Sequence, residues 1–364
     1  MYTSLPDDVR ERHPFHMYEE IRAQPQAIAR SLSLWEEQRD RIRDAVVRAR
    51  RVWVTGCGTS YHAALTGAWF LRAFSEGAVD ARALEAYELS AYPPRITGDD
   101  VIIAVSHSGT TDTTARAISG SSAMTIAVTG FPDSLVGRAA KLILPTGYPD
   151  ERSWAHTISY TAALTSLAAL ANDVATPAQR LDLTPLPDLV TDVLRLEEPA
   201  HRIAAAALMG ERYGPSCRVL LSGGGPNIGT AHEGALKLLE TSYVAALSFE
   251  LEQTLHGPLA AVHEDTVVVI IAPTGPSVLR TLQTAEAVRR LGIEPLVLTG
   301  EDSAEQFGES HRLVLPEMPE VLTPIAYVVP LQLISYFLAV GKGFNPDLIH
   351  RDDKRYASAA AAYS

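Results

Sequence analysis

Two apolar runs in this chain stop at short loops of glycine and hydroxyl residues, a combination suited to holding an anion. Val52 to Thr55 is followed by Gly56, Cys57, Gly58, Thr59 and Ser60. Val101 to Val105 is followed by Ser106, His107, Ser108, Gly109, Thr110 and Thr111. Glycine lets the backbone approach a ligand closely. Thr59 or Ser60 would open a helix whose first free N–H groups favour negative charge. Ser106, Ser108 and Thr111 add hydroxyl donors at a neighbouring strand end. Serine and threonine also cap helices, so either loop alone has an ordinary structural explanation. The two together point to a phosphate site. No GxxxxGK[ST] pattern follows and the third glycine of GxGxxG is missing, which excludes a nucleotide P-loop and a dinucleotide fingerprint.

Ionisable groups lie further along. His232 to Glu240 reads as a helix that sets Glu233, Lys237 and Glu240 on a common face at i, i+4 and i+7. His256 follows in the run LHGPL. These could equally be a surface ion pair, a solvated carboxylate and a turn histidine.

The elements that must position these groups recur along the chain. Gly56-Cys57-Gly58 is echoed by Gly223-Gly224-Gly225, DVIIAVSHSG by TVVVIIAPTG, Thr129-Gly130 by Thr299-Gly300 and Leu144-Pro145 by Leu315-Pro316. The offset stays at about 170 residues, as expected of a duplicated fold. In the second copy nearly all the loop hydroxyls are gone. Short β-branched runs alternate with helix-permitting stretches such as 59–75 and 281–291, which predicts βαβ units on parallel sheets. Each half therefore reads as a doubly wound α/β domain with ligands at the carboxyl ends of its strands. The expected organisation is an N-terminal helical segment over 1–45, a first domain over 46–176, a linker over 177–200, a second domain over 201–340 and a tail over 341–364. Ile28, Leu32, Leu34, Trp35 and Ile42 predict a helix over 26–47 that packs on the first domain.

Composition narrows the class. At 364 residues the chain is long enough for two domains. A net charge of -12 argues against a nucleic-acid binder but leaves a small anionic substrate open. Cys57 and Cys217 do not make a disulfide framework, no zinc-like ligand spacing occurs, and no metal or cofactor is expected. The first residues lack a secretory pattern and no uninterrupted apolar stretch of membrane-spanning length stands out, so a cytoplasmic protein is expected.

The motifs GCGTS (56–60), SHSGTTDT (106–113), EGALKLLETSY (233–243) and LHGPLA (255–260) resemble those of the sugar isomerase (SIS) family. The similarity is greatest to the isomerase half of the glutamine–fructose-6-phosphate aminotransferases. GFNPDLIHRDDK (343–354) is similar to that group's GxNPDxPRxLxK tail. The resemblance implies two tandem SIS domains, each a three-layer αβα sandwich on a parallel sheet. It implies a sugar 6-phosphate held by Thr59, Ser60, Ser106, His107, Ser108 and Thr111, with Cys57 and Gly58 in the pocket. It further implies Glu240 as the base moving a proton between C1 and C2, and His256 as the ring-opening acid/base supplied by a neighbouring subunit of a homodimer. Lys354 falls on a tail lysine that contacts the open sugar, and Lys237 on a helix lysine near the same site.

Departures bear on the substrate. No glutaminase half precedes the matching region, and no cysteine follows Met1, so glutamine is not expected as nitrogen source. The loop SQSGET reads SHSGTT, which sets His107 in place of a glutamine. The segment EIGVASTKAFT reads Glu151 to Thr161, where Trp154 is expected to narrow the sugar pocket and Ile158 replaces a lysine. The resulting expectation is an amino-sugar phosphate deaminase/isomerase that releases ketose phosphate and ammonia. The alternatives are an aldose–ketose isomerase without nitrogen chemistry and a non-catalytic phosphosugar sensor.

Overall fold

The computed structural model describes residues 8–209, 218–308 and 311–362, so Cys217 lies outside the described residues. The chain begins with α1 (His16–Arg22) and α2 (Gln24–Arg48). The first α/β unit runs β1 (Arg51–Thr55), α3 (Thr59–Phe74), β2 (Ala81–Ala83), α4 (Ala86–Ala91), β3 (Asp100–Val105), α5 (Asp112–Ile118), β4 (Met124–Thr129), α6 (Leu135–Ala139), β5 (Leu142–Pro145) and α7 (Ile158–Val174). Then come α8 (Leu186–Val193) and α9 (Glu197–Met209). The second unit runs β6 (Arg218–Gly223), α10 (Ile228–Lys237), β7 (Ala245–Glu250), α11 (Leu251–Leu255), β8 (Thr266–Ala272), α12 (Val278–Arg290), β9 (Leu296–Gly300), α13 (Glu301–Ala304), β10 (His311–Leu315) and α14 (Thr323–Gly341). The tail ends in α15 (Lys354–Ala360).

Every strand pairing is parallel, and the two sheets run β2-β1-β3-β4-β5 and β7-β6-β8-β9-β10. Both halves thus have the same doubly wound order, 2-1-3-4-5. Strand order reverses between β1 and β3, and between β6 and β8, which opens a crevice at that end of each sheet. The two hydroxyl loops follow β1 and β3 and so flank the first crevice. Strands such as β3 and β9 are buried along their whole length, as sheets covered by helices on both faces require.

Ile28, Trp35 and Ile42 of α2 are buried, and the helix packs on α7 as the apolar spacing predicts. The Trp35 indole donates to Asp173 at 2.9 Å. The stretch 177–200 carries α8 and the start of α9, with Val190 and Val193 buried against the body. One expectation needs correction: a stretch of spanning length does occur. Residues 320–341 are long and apolar enough to cross a membrane. Their window is 83% buried inside the protein, where α14 packs between α9 and α10 as a core helix.

Candidate active site

Hydroxyls that cap a helix are not available to a ligand, so the caps decide what the loops can do. The N-cap of α3 is Gly58, at φ 55°, and makes no side-chain cap bond. Thr111 is the N-cap of α5 and also makes none. Gly109 sits at φ 64°, and a Cβ there would lie 1.8 Å from the Ser134 hydroxyl. The tight turn therefore needs glycine, and it leaves Ser108 and Thr110 to share a hydrogen bond of 2.8 Å at the loop's rim. Ser106 is buried at the end of β3 with its N–H on the Val128 carbonyl. Cys57 lies under the first loop with Sγ 3.6 Å from the Thr114 hydroxyl, and burial pushes its thiol up to about 11. It is an inert wall rather than a nucleophile at neutral pH.

Thr59 opens α3. Its hydroxyl donates to the Glu233 carboxylate at 3.1 Å, across the contact between α3 and α10. His62, one turn later on α3, has Nδ1 2.8 Å from the other Glu233 oxygen. Lys237 is fully buried on α10, 3.3 Å from Glu233 and 2.5 Å from Glu240. Burial works against its charge, but the two carboxylates outweigh it and hold the ammonium above the ordinary lysine range. Glu233 is held below the usual carboxylate range, because Lys237 and His62 overcome the cost of its burial. A lysine held this firmly in the charged form is an electrostatic group, not an amine nucleophile.

Glu240 is the accessible member of this cluster, with 23% of its side chain exposed. It lies in a π-helical turn, Leu238–Ser242, that continues α10 and ends at Tyr243 in the left-handed region, φ 55°. Such single π turns swing one residue off the regular helix ladder and are frequent at functional sites. Nothing in the residue spacing signals the turn, whereas the shared face of Glu233, Lys237 and Glu240 is legible from it. His62 was missed. Its signal was its position three residues after Thr59, on the same face of α3.

A second group of side chains joins the Ser106–Thr111 loop to the segment before α7. Glu151 is fully buried, with one oxygen 2.7 Å from His156 Nδ1 and 3.7 Å from His107 Nε2. Its other oxygen accepts the N–H groups of Thr157 at 2.6 Å and Ser159 at 3.4 Å. Burial pushes the His107 imidazole down to about 4, so it is neutral. Burial opposes the charge of His156, but Glu151 outweighs it and holds the imidazolium above its ordinary range, with smaller influences from Lys237 and Glu240. Spacing along the chain hid this trio, since the fold brings together a strand-end loop and a distant loop. Glu20 of α1 accepts the N–H groups of Arg152 and Ser153 and so fixes the segment in place.

Trp154, expected to narrow the sugar pocket, stacks under the tail. The Arg351 guanidinium lies 3.6 Å from the Trp154 ring centroid, and the backbone N–H of Trp154 donates to the Asp347 carbonyl at 2.9 Å. The Asp347 carboxylate accepts the N–H groups of His16 and Met17, tying the tail to α1. Ile349 and His350 adopt φ of 42° and 62°, a kink held by the His350 ring stacked 3.4 Å from that of Tyr243. For a β-branched residue this backbone is strained. Lys354 is exposed at the start of α15. His256 is also exposed, with 65% of its side chain in solvent, and its Nε2 lies 2.8 Å from Glu252. No bond of the Glu233–Lys237–Glu240 cluster involves His256 or Lys354.

The hydroxyls at the second crevice are already engaged. Ser277 donates to Glu320 at 3.0 Å and Thr274 to Glu317 at 3.0 Å, so its few hydroxyls face carboxylates.

The SIS domain family matches residues 46–173 and, a second time, residues 215–341. The chain belongs to the SIS family. A glutamine–fructose-6-phosphate aminotransferase of the isomerizing type from Pyrococcus horikoshii is 33% identical over 341 residues, covering 91% of this chain and 56% of the relative. The chain thus spans about half the length of the curated relatives it matches. Among solved SIS structures, the C-terminal domain of glucosamine-fructose-6-phosphate aminotransferase from Francisella tularensis superposes with a TM-score of 0.84 at 23% identity, covering 93% of this chain and 99% of that one. Glucosamine-6-phosphate deaminase from Thermotoga maritima gives 0.72 at 20% identity, covering 92% of this chain and 97% of that one. At these identities the likeness of the structures speaks for the SIS fold.

Proposed function

We propose that this SIS protein is an amino-sugar phosphate deaminase/isomerase acting on a hexosamine 6-phosphate. The observation that carries the reading is the accessible Glu240 carboxylate, held by a buried ammonium at the contact between the phosphate-loop helix α3 and α10. The phosphate is placed on Ser60, Ser106, Ser108 and Thr111, whose hydroxyls are not used as helix caps. In the proposed reaction His256 of a neighbouring subunit opens the sugar ring. Glu240 then takes the proton from C2 while the C1 carbonyl oxygen gains a proton, giving an enolamine, and Glu240 returns its proton to C1 as the amine nitrogen loses one. This yields a ketimine, which one water molecule hydrolyses to ketose phosphate and ammonia. A carboxylate positioned in this way contributes about 10²- to 10⁴-fold to such a proton transfer. Lys237 fixes the carboxylate in place, and Lys354 is assigned to the open-chain carbonyl once the tail closes over it. The names of the relatives support this substrate class: one group makes an amino-sugar phosphate and another deaminates it.

The test is ammonia release from the purified chain with a panel of hexosamine 6-phosphates, with Glu240→Gln as the matched control. Release with at least one sugar, reduced at least about a hundredfold in the variant, is expected. If every hexosamine phosphate is inert while a ketose phosphate is isomerised, the alternative without nitrogen chemistry replaces it.

A further inference from the structure

We propose that His107, Glu151 and His156 form a binding site for one divalent transition-metal ion of the zinc or cobalt class. Candidate ligand atoms of the three side chains all lie within 4.8 Å of one another. Two imidazole nitrogens and a carboxylate are the donor set that such borderline ions prefer. Around an ion bound tetrahedrally at about 2.1 Å, neighbouring ligand atoms stand roughly 3.4 Å apart. The separations here, 2.7 Å from Glu151 to His156 and 3.7 Å from Glu151 to His107, bracket that spacing.

The state of His107 is the second, independent observation. Its ring is about nine-tenths buried, its Nδ1 has no hydrogen-bond partner, and its Nε2 faces Glu151 at a distance too long for a hydrogen bond. A buried imidazole nitrogen left without a partner is costly in an otherwise hydrogen-bonded interior. An ion between Nε2 and the carboxylate would satisfy the nitrogen that faces the cluster. The carboxylate is already oriented for this, because its second oxygen is held by the Thr157 and Ser159 N–H groups. Both imidazoles also stand where the resembling motifs carry other residues, glutamine in SQSGET and serine in EIGVASTKAFT.

Three protein ligands leave a coordination position open. His156 is the most exposed of the three, at 34% of its side chain, so the open position lies on its side of the cluster. An oxygen of a sugar phosphate seated on the neighbouring Ser106–Thr111 loop is the chemistry that position would take. The site is proposed independently of the reaction, and its test uses no substrate.

The full chain is stripped with a chelator and titrated with Co²⁺, with absorption in the visible and bound metal per chain as readouts. One ion per chain with a ligand-field band is expected. His107→Gln and His156→Ser, which install the residues of the resembling motifs, should each weaken binding at least tenfold and remove the band. X-ray absorption of the zinc-loaded wild type should show two imidazoles in the metal's shell. No ligand-field band, binding of unchanged strength in the double variant, or a shell without imidazole would each overturn the proposal.

Discussion

Lys237 is the residue on which the candidate site turns, because it has no exposure and sits between two carboxylates. Removing one partner of a buried ion pair leaves the other charge uncompensated, at a cost of about 3–5 kcal/mol. Lys237→Met is therefore expected to lower unfolding stability by about that amount, measured in urea, with most of the loss recovered when Glu233→Gln is added. A shift within about 0.5 kcal/mol of wild type would show that the cluster is not held together as described. His232, at the start of the same motif, gives a pH signature. Burial, helped by the adjacent His62, pushes its imidazole down to about 4, and its Nδ1 bonds the Ser248 hydroxyl at 2.7 Å. Between the ordinary value of 6.5 and about 4, the unfolded chain takes up a proton that the folded chain refuses. Its contribution to stability is thus complete above pH 6.5 and is lost as pH falls through that window. Thermal unfolding of His232→Gln should lose less between pH 7 and pH 5 than that of the wild type. Equal losses would mean that the imidazole titrates alike in both states.

At the scale of elements, the contact of α3 with α10 joins the loop of residues 56–60 to the carboxylate cluster. Gly229 makes it possible, since a Cβ there would lie 2.1 Å from the Thr66 hydroxyl and 2.9 Å from the His62 carbonyl. Gly229→Ala should destabilise the fold by about 1–3 kcal/mol, and Thr66→Ala should restore part of that by removing the nearer obstacle. If the single variant is as stable as the wild type and as well packed, the two helices do not cross this closely. The strands and long helices around this joint were legible in the sequence because β-branched runs and apolar spacing are local signals. The shared face of Glu233, Lys237 and Glu240 was legible for the same reason. The π turn at Leu238–Ser242, the diversion of Thr59 to Glu233 and the trio of His107, Glu151 and His156 were not. Each depends on which distant element packs alongside, and periodicity carries no record of that. Trp154 shows the same limit: its size was readable, but not that it would lie under Arg351 of the tail.

Across the whole molecule, two sheets of identical strand order have unlike crevices: one with hydroxyls not used as caps, the other with its hydroxyls bonded to Glu317 and Glu320. In the proposed reading the first half offers the anion site, while the second contributes Glu233, Lys237 and Glu240 to the joint between them. The imidazole assigned to ring opening is missing from that joint, because His256 points to solvent beside Glu252. A site complete in one chain would need that exposed turn to move a long way. A site shared by two chains needs only an isologous contact that presents one protomer's His256 to the other's Glu240. Separately inactive His256→Ala and Glu240→Gln chains decide between these arrangements. Mixed, denatured and refolded together, half of the resulting dimers would carry both kinds of chain, and each of those would hold one intact site of two. Activity should recover to about a quarter of the wild-type value, with the heterodimer confirmed by differently tagged chains. No recovery in a verified heterodimer would place all the reacting groups within one chain, and would leave the exposed His256, hydrogen-bonded to Glu252, outside the reaction.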